Sequence, residues 1–269
     1  MKTIGFIDLY ISEWHANNYP KWIAKAADAL GEEIAVKYVW AEEEVSPVDG
    51  RTTAAWCEAF GAEACASIEE VCEKADFLVI LAPSNPEKHL AYAKRVFPFG
   101  KPTYVDKTFA PSLAEAEEIF ALAKAHGTPF FSTSALRYAT ELAAITVEKS
   151  LAVTGGGSNF PEYSIHQLEM IVKLMGGDFT AVEGQKTEDG YAATVTFADG
   201  RTASVAYAPT NRFTLTADGV LTPVASEYFS ILIADVVRFF FEKTVSFDTA
   251  ETLAVIRLRD AVLGKVGLA

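Results

Sequence analysis

The sequence is poor in the residue types that build disulfide frameworks, metal sites and nucleic-acid surfaces. It has three cysteines and four histidines among 269 residues. Cys57, Cys65 and Cys72 are an odd number at spacings that fit no zinc pattern, so we assign them no function and predict no metal site. Basic residues number 23 against 36 acidic ones, a net charge of −13, with no basic cluster. This balance argues against nucleic acid or an anionic membrane surface as the main partner.

Long apolar runs are also missing. No apolar run is long enough to span a bilayer, and Phe239–Phe241 is bounded by Arg238 and Glu242. The first residues, Met1–Asp8, are too short and too soon charged to form a signal peptide. We therefore expect a cytoplasmic protein with no membrane partner. Half of the residues are hydrophobic, which is ample for one large domain or two ordinary ones.

Strand and helix patterns alternate through the first half of the chain. The continuously apolar run Phe77–Ala82 is typical of a parallel strand covered on both faces. The alternation predicts an α/β fold with an N-terminal, Rossmann-type, doubly wound parallel sheet. The predicted strands are Ile4–Ile7, Ile34–Trp40, Phe77–Ala82, Thr103–Val105 and Pro129–Ser132.

Capping signals mark the predicted helix starts in this half. Ser67 and Ser112 each precede a glutamate by three residues, which is the spacing of a capping box. Asn85 before Pro86 has the residue types of a helix cap and first turn. The first helix is predicted over Tyr19–Leu30.

The pattern changes after Tyr138. Asp199-Gly200 lies between two alternating segments and is a hairpin signal. We expect a C-terminal α+β domain built on a largely antiparallel sheet, with the domains at 1–136 and 137–269. The predicted elements are helices over 140–150, Ser164–Met175, Tyr228–Lys243 and Ala250–Lys265, and strands over Tyr191–Phe197, Thr202–Tyr207 and Phe213–Ala217.

A charged pair, Asp106-Lys107, follows the strand Thr103–Val105 at its carboxyl end. In an open α/β sheet this edge is where ligands bind. Lys107 is therefore a candidate site residue, and an ordinary solvated loop lysine is the alternative interpretation.

Two separated motifs resemble those of the glucose–fructose oxidoreductase / inositol dehydrogenase family (Gfo/Idh/MocA). The first motif runs over Gly100–Thr108 and continues in Ser112–Ala116 and Ser134–Tyr138. The second, Glu162–His166, is similar to the family's Asp-x-x-x-His and precedes a helix that ends in Met-Gly-Gly. The resemblance covers nearly the full length. It implies an N-terminal Rossmann domain, a C-terminal α/β domain often used for dimerisation, and NAD(P)-linked redox chemistry on sugars, polyols or related compounds.

The resemblance implies catalytic roles for Lys107, His166 and Glu162. Lys107 would donate hydrogen bonds to the reacting oxygen and stabilise the negative charge that develops there. His166 would move the hydroxyl proton or bind a substrate hydroxyl, since its unperturbed pKa lies near neutrality. A structural histidine is the alternative. Glu162, where the family has aspartate, would orient a sugar hydroxyl. The substrate-side candidates are Arg137, Tyr138 and Tyr163.

The expected cofactor is NAD or NADP. NAD is favoured because Glu42 or Glu43, after the second strand, can accept hydrogen bonds from ribose hydroxyls; a solvated acidic run is the alternative. Asp106 would pair with the ribose or orient Lys107, with simple surface charge as the alternative. Asn85 as a helix cap and Arg137 as a domain-interface ion pair are further open interpretations. The cofactor-binding candidates are Gly5, Ile7, Asp8, Leu9, Glu42, Ala82, Pro83, Ser84, Asn85, His89 and Asp106.

The turn after the first strand departs from the glycine fingerprint of dinucleotide-binding folds. Gly5 is present, but Asp8 holds the next glycine position and Leu9 follows it. A carboxylate repels a diphosphate, and a side chain crowds its approach.

Three functional hypotheses follow. The leading one is an NAD(P)-dependent oxidoreductase with a small-molecule substrate, assembled as a homodimer or higher homo-oligomer. The second is a redox-inactive relative that acts as a ligand-binding or regulatory protein. The third is lyase or hydrolase chemistry with transient use of a bound nicotinamide.

Overall fold

The computed structural model describes residues 1–268, which form two compact units. The first unit comprises Met1–Ser132 together with Ser230–Ser246. The second comprises Thr133–Phe229 and the chain from Phe247 onward. The second half of the chain thus contributes a helix to the first unit. The sequence analysis expected two continuous domains divided between residues 136 and 137.

Six parallel strands form the sheet of the first unit. Their spatial order, β3-β2-β1-β4-β5-β6, is the order of a Rossmann fold. The predicted α/β, doubly wound fold is therefore confirmed. The strands are β1 (Lys2–Asp8), β2 (Ile34–Ala41), β3 (Glu63–Ala64), β4 (Phe77–Ile80), β5 (Thr103–Val105) and β6 (Phe130–Phe131).

Helices alternate with these strands, and serine caps start two of them, α3 and α5. Ser67 Oγ accepts from Glu70 N at 3.1 Å, and Ser112 Oγ accepts from Glu115 N at 3.3 Å, so both predicted capping serines are confirmed. The helices are α1 (Trp14–Leu30), α2 (Thr53–Phe60), α3 (Ile68–Lys74), α4 (His89–Val96) and α5 (Leu113–His126), and α7 (Tyr228–Glu242) lies in this unit from Ser230 onward.

Two helix starts in this unit differ from the prediction. Helix α1 begins five residues earlier than expected, because the carboxylate of Glu13 caps it by accepting backbone N–H groups. The Asn85 side chain makes no capping hydrogen bond; its Nδ2 donates to Glu87 Oε1 at 3.0 Å. Pro86–Lys88 is accordingly a short 3-10 turn before α4.

The second unit has a mixed sheet in the order β12-β11-β7-β10-β9-β8. Within this sheet, the pair β7–β10 is parallel and the other described strand pairs are antiparallel. This confirms the predicted, largely antiparallel sheet. Helices α6 and α8 pack against this sheet. The elements are β7 (Ser150–Gly155), α6 (Phe160–Met175), β8 (Phe179–Lys186), β9 (Tyr191–Phe197), β10 (Thr202–Tyr207), β11 (Thr214–Ala217), β12 (Val220–Pro223) and α8 (Glu251–Val266).

The helix predicted over 140–150 is wrong. Thr140–Ala144 is a 3-10 turn, and the chain then becomes extended to enter β7. The carboxylate of Asp218 accepts the N–H groups of Glu148, Lys149 and Ser150 at 2.7–2.9 Å and directs them into the sheet. Strands β8 and β12 were not predicted. Helix α6 begins at Phe160 rather than Ser164, because Asn159 caps it.

Among residues 1–268, no helix combines the length and the apolar character needed to cross a membrane.

Gly5 of β1 is required by packing within the first unit. A Cβ atom added at Gly5 would lie 2.3 Å from Val71 Cγ1 of α3, far inside van der Waals contact. We predict that Gly5→Ala lowers the free energy of unfolding by about 1–3 kcal/mol. Urea unfolding measures this cost.

The clash with Val71 should also show as coupling between the two positions. In a double-mutant cycle, Gly5→Ala should cost less in a Val71→Ala background, because the neighbouring methyl group is gone. Strictly additive costs would show that packing against Val71 is not what requires glycine at position 5.

Candidate functional site

The carboxyl edge of the first sheet gathers most of the predicted cofactor-side residues. Because all six strands are parallel, the ends of β1, β4 and β5 lie on this same edge. Asp8 Oδ1 accepts Ala82 N at 3.0 Å across β1 and β4. Lys107 Nζ donates to Pro83 O at 3.2 Å, joining the segments that follow β5 and β4. The sequence-predicted residues after these strands therefore do come together within the first unit.

Asp106 is the most heavily hydrogen-bonded carboxylate of this edge. It is fully buried and accepts His15 Nδ1 and Lys107 N, the latter at 2.8 Å. The hydroxyls of Tyr19 and Tyr104 lie 3.1 and 3.3 Å from its oxygens. Burial by itself would raise the pKa of Asp106, but the charges of His15 and Lys107 and the hydrogen bonds from these two residues lower it on balance. Asp106 is therefore an anion enclosed by the protein, which disfavours direct pairing with a ribose and excludes simple surface charge.

His15 was not singled out from the sequence, although its partner Asp106 was. It lies in the first turn of α1 and is 6% exposed. A carboxylate at Nδ1 holds the ring proton on that nitrogen and so places the basic lone pair on Nε2, on the far side of the ring. Tyr19, one helical turn later, stacks on the imidazole with ring centroids 5.1 Å apart. The sequence signal that could have found His15 was a histidine shortly after the first strand.

Lys107 is not an ordinary solvated loop lysine. The residue is 7% exposed, and its backbone N–H and its ammonium group both have hydrogen-bond partners on the same edge. The peptide bond between Lys107 and Thr108 is cis.

Asp8 occupies the position where the fingerprint requires glycine. It is 1% exposed, and its Oδ1 accepts Leu9 N at 2.7 Å as well as Ala82 N. Its Oδ2 has no hydrogen-bond partner among residues 1–268. Burial, reinforced by the charge of Glu13, raises the pKa of Asp8 well above its usual range, even though the two N–H bonds oppose the shift.

Glu13 fills the N-terminus of α1. One carboxylate oxygen accepts His15 N at 2.7 Å, and the other accepts Ala16 N. A dinucleotide's pyrophosphate binds to such N–H groups at the start of the first helix of a Rossmann fold. With Asp8 and Glu13 already bonded to the amides of this turn, a pyrophosphate does not fit the turn in this conformation.

The other predicted residues of the first turn are part of the core. Ile7 is fully buried in β1, and Leu9 is 7% exposed in the turn that follows. Gly5 serves packing against α3, as described above.

Glu42 lies just beyond β2 and is exposed. Its two carboxylate oxygens accept Lys88 Nζ and the Tyr92 hydroxyl, each at 2.7 Å. The hydrogen bond from Lys88, followed by that from Tyr92, lowers the pKa of Glu42. Glu42 is thus an exposed carboxylate that two neighbouring side chains hold in place.

The segment after β4 divides into exposed and buried candidates. Ser84 is exposed and Asn85 is half-buried. His89 is fully buried, and its Nδ1 and Nε2 lie 2.9 and 2.6 Å from Phe109 O and Leu81 O. Both ring nitrogens thus contact backbone oxygens, so His89 ties the end of β4 to the loop after β5.

The second unit holds its own polar cluster around His166 of α6. His166 is 6% exposed, and its Nδ1 lies 2.7 Å from Ser134 Oγ. Ser134 Oγ also accepts Leu136 N at 3.1 Å, so its hydroxyl hydrogen is available to His166 Nδ1. Tyr163 packs edge-on against the imidazole at a centroid distance of 5.6 Å. The hydrogen-bond partner of His166 Nδ1 is therefore the side chain of Ser134.

Glu162, the third catalytic candidate, lies in the first turn of α6. Its backbone N–H donates to Asn159 Oδ1 at 2.8 Å, and Asn159 Nδ2 donates back to Glu162 Oε2 at 3.2 Å. This reciprocal pair helps to start the helix. Tyr138, a substrate-side candidate, is half-buried in the second unit.

Arg137 is held by ion pairs inside the second unit. Its guanidinium donates to Glu169 Oε1 and Glu251 Oε2, each at 2.5 Å, and lies 4.2 Å from the centroid of Phe247. The residue is 5% exposed. These contacts use it to join α6 and α8.

Three residues in the described part of the chain have the grouping of metal ligands: Glu63, Cys65 and Glu70. Lys74 Nζ lies 2.6 Å from both carboxylates, so an ammonium group already supplies the positive charge there. The group carries no metal prediction.

Comparison with known proteins finds similarity to an oxidoreductase family in the first part of the chain. Residues 41–134 match the model of the oxidoreductase family with an NAD-binding Rossmann fold, Gfo/Idh/MocA. Over this third of the chain the sequence is similar to the Gfo/Idh/MocA family. A stretch of 66 residues is 39% identical to the uncharacterized oxidoreductase YhhX of Escherichia coli K12, and it covers 23% of this chain. The match spans about a fifth (19%) of the length of YhhX.

Solved structures extend the fold comparison to nearly the whole chain. The UDP-N-acetylglucosamine 3-dehydrogenase GnnA of Acidithiobacillus ferrooxidans superimposes with a TM-score of 0.77 at 14% identity, over 98% of this chain and 97% of GnnA. Biliverdin reductase of Synechocystis sp. PCC 6803, solved with biliverdin and NADP+, gives 0.74 at 14% identity, over 98% and 99%. At this level of identity, the similarity shows that the chain shares the fold of these two proteins.

The buried carboxyl group of Asp8 makes a pH-dependent prediction. Because its pKa is raised in the folded state, wild-type stability should fall as the pH rises from about 4 through the folded pKa. Asp8→Asn keeps an oxygen for Leu9 N and Ala82 N but cannot ionise. Its stability relative to wild type should rise over this range, by about 1.4 kcal/mol for each unit of pKa shift.

Urea unfolding between pH 4 and pH 9 measures this difference. Asp28→Asn, at an exposed position of α1, is the matched control and should follow the wild-type curve. A constant difference between Asp8→Asn and wild type across this range would show that Asp8 is ionised throughout.

Proposed function

We propose that this protein is an NAD(P)-dependent oxidoreductase that acts on a sugar, a polyol or a related hydroxy compound. The observation that carries the proposal is the Rossmann unit with Lys107 and the Asp106–His15 pair at its ligand-binding edge. The match of residues 41–134 to an NAD-binding oxidoreductase family and the structural similarity to a dehydrogenase and a reductase support it.

Oxidation of a secondary alcohol needs a hydride acceptor and a group that removes the hydroxyl proton. The nicotinamide would supply the hydride acceptor. We assign Lys107 to the reacting oxygen, where its ammonium group stabilises the negative charge that develops. With a residue exposure of 7%, this charge acts in a medium that screens it less than water does.

His15 is the proton-transfer candidate of the first unit. Asp106 keeps Nδ1 protonated, stabilises the imidazolium that forms when Nε2 accepts a proton, and fixes the ring plane. Asp106 is thus a positioning residue in this proposal, for Lys107 through its backbone N–H and for His15 through its ring.

In the second unit, His166 is the proposed substrate-side group. A hydrogen bond from Ser134 Oγ to Nδ1 leaves the ring proton on Nε2, the tautomer that donates to a substrate oxygen. Glu162, Tyr163 and Tyr138 are proposed as neighbouring substrate contacts. Arg137 is left out, since its guanidinium is committed to two carboxylates.

Glu42 favours NAD over NADP in this proposal. Its carboxylate is held at the end of β2 by Lys88 and Tyr92, and a carboxylate there accepts from ribose hydroxyls but repels a 2′-phosphate. Titration with NADH and NADPH, followed by nicotinamide fluorescence, tests the cofactor. Lack of binding of either nucleotide at millimolar concentration would refute the redox function.

Lys107→Met and His166→Gln test the two groups separately. In an assay of NAD reduction over a panel of sugars and polyols, each variant should lower kcat by about 10²- to 10⁴-fold while NADH binding persists. Lys124→Met and His126→Gln, at exposed positions of α5, are matched controls with expected wild-type rates. Full activity in Lys107→Met would remove this lysine from the chemistry.

His15→Gln should also lower kcat by about 10²-fold or more, and Asp106→Asn should shift the acidic limb of the pH–rate profile for alcohol oxidation to lower pH, because the amide cannot stabilise an imidazolium. His126→Gln again serves as control. An unchanged pH profile in Asp106→Asn would show that this carboxylate only supports the fold.

A redox-inactive, ligand-binding relative is the second candidate. The occupied amides of the β1–α1 turn favour it. Substrate-dependent reduction of NAD that disappears in Lys107→Met would exclude it.

We also propose a homodimer or higher homo-oligomer. Helices α6 and α8 cover one face of the second sheet, while Thr194 and Ala206 at alternate positions are exposed. Analytical ultracentrifugation would refute this by finding a monomer at micromolar concentration.

A further inference from the structure

We propose that Glu13 is an internal competitor of the cofactor: it occupies the phosphate-binding amides of α1, and the dinucleotide binds only when Glu13 leaves them. The inference rests on the proposed function, since it concerns how the same nicotinamide nucleotide would enter its site.

The geometry places a carboxylate where a phosphate would otherwise bind. His15 N and Ala16 N are two of the N–H groups at the start of α1 that lack a partner within the helix. Glu13 binds both with separate oxygens of one carboxylate. A carboxylate with two oxygens on two amides satisfies the same donors as a phosphate does, and its charge interacts equally well with the helix dipole.

Asp8 extends the occupied surface across the sheet edge. Its Oδ1 accepts hydrogen bonds from the N–H groups of Leu9 and Ala82. Asp8 and Glu13 together therefore accept from four backbone N–H groups of this edge. The remaining oxygen, Oδ2, is buried without a partner among residues 1–268. A buried carboxylate oxygen without a hydrogen bond shows that the polar groups of this turn are not all satisfied.

The electrostatics of the turn favour a displaceable Glu13. Glu13 is 7% exposed and lies close enough to Asp8 for its charge to contribute to the raised pKa of that group. A dinucleotide phosphate and the Glu13 carboxylate cannot share the amides, because two anions would then face each other in a buried turn. Loss of the Glu13 carboxylate should therefore strengthen the binding of ligands that carry a pyrophosphate.

Glu13→Ser is the decisive variant. Serine is a good helix N-cap, so α1 keeps a capping hydroxyl while the carboxylate is removed. We expect the Kd for NADH to fall by about tenfold, because the repulsion between the Glu13 carboxylate and the pyrophosphate is removed and a neutral capping hydroxyl is easier to displace than a charged one. Glu32→Ser, at an exposed position beyond α1, is the matched control and should leave Kd unchanged.

Two probes show whether the effect follows the phosphates. Nicotinamide fluorescence reports NADH, and calorimetry reports ADP-ribose and adenosine. ADP-ribose carries the pyrophosphate and should gain affinity in Glu13→Ser, whereas adenosine should not. Glu13→Gln, which keeps the length of the side chain but not its charge, should give a smaller gain and substitutes for Glu13→Ser if that variant does not fold.

The outcomes separate the inference from the proposed function. Tighter NADH and ADP-ribose binding in Glu13→Ser supports both. Equal NADH affinity in wild type, Glu13→Ser and Glu13→Gln overturns the competition while the oxidoreductase proposal stands. A gain that adenosine shares also overturns it, because the effect would not depend on phosphate. No NADH binding in any of the proteins overturns both.

Discussion

Burial of charge at one sheet edge is the constraint on which the first unit depends. A buried carboxyl group must be hydrogen-bonded, paired with a cation or neutral. Asp106 is hydrogen-bonded and paired, with His15 and Lys107 beside it. Asp8 is the opposite case, since burial favours its neutral form. Two aspartates on one edge therefore have different protonation behaviour, because one has cationic neighbours and the other has Glu13.

This arrangement links fold, site and cofactor access. Parallel strands bring the ends of β1, β4 and β5 to one edge, and the loops there supply both the proposed proton-transfer pair and the amides for a phosphate. In our proposal the same edge orients His15 through Asp106 and admits an anion next to Glu13. The backbone of His15 donates to Glu13 while its ring contacts Asp106, so movement of Glu13 also bears on the position of His15.

Local sequence patterns account for the features that could be predicted from the sequence. The strand at Phe77, the caps at Ser67 and Ser112, and the position of Asp106 and Lys107 after β5 all depend on neighbours within a few residues. The errors fall where distant groups decide. Residues 140–150 leave a helical pattern because Asp218, about 70 residues later, takes the N–H groups of Lys149 and Ser150.

The sequence by itself determined the alternating α/β order, the Rossmann-type first unit, the largely antiparallel second sheet and Lys107 at a ligand-binding edge. Hydrophobic periodicity and capping residues act locally, so these features can be predicted from one sequence. Only the tertiary structure decided that His15 meets Asp106 across 91 positions and that Asp8 reaches Ala82. It also decided that Glu13 turns back onto the first amides of α1. Such pairings depend on where strands and turns are placed in space, and residue spacing does not contain that information.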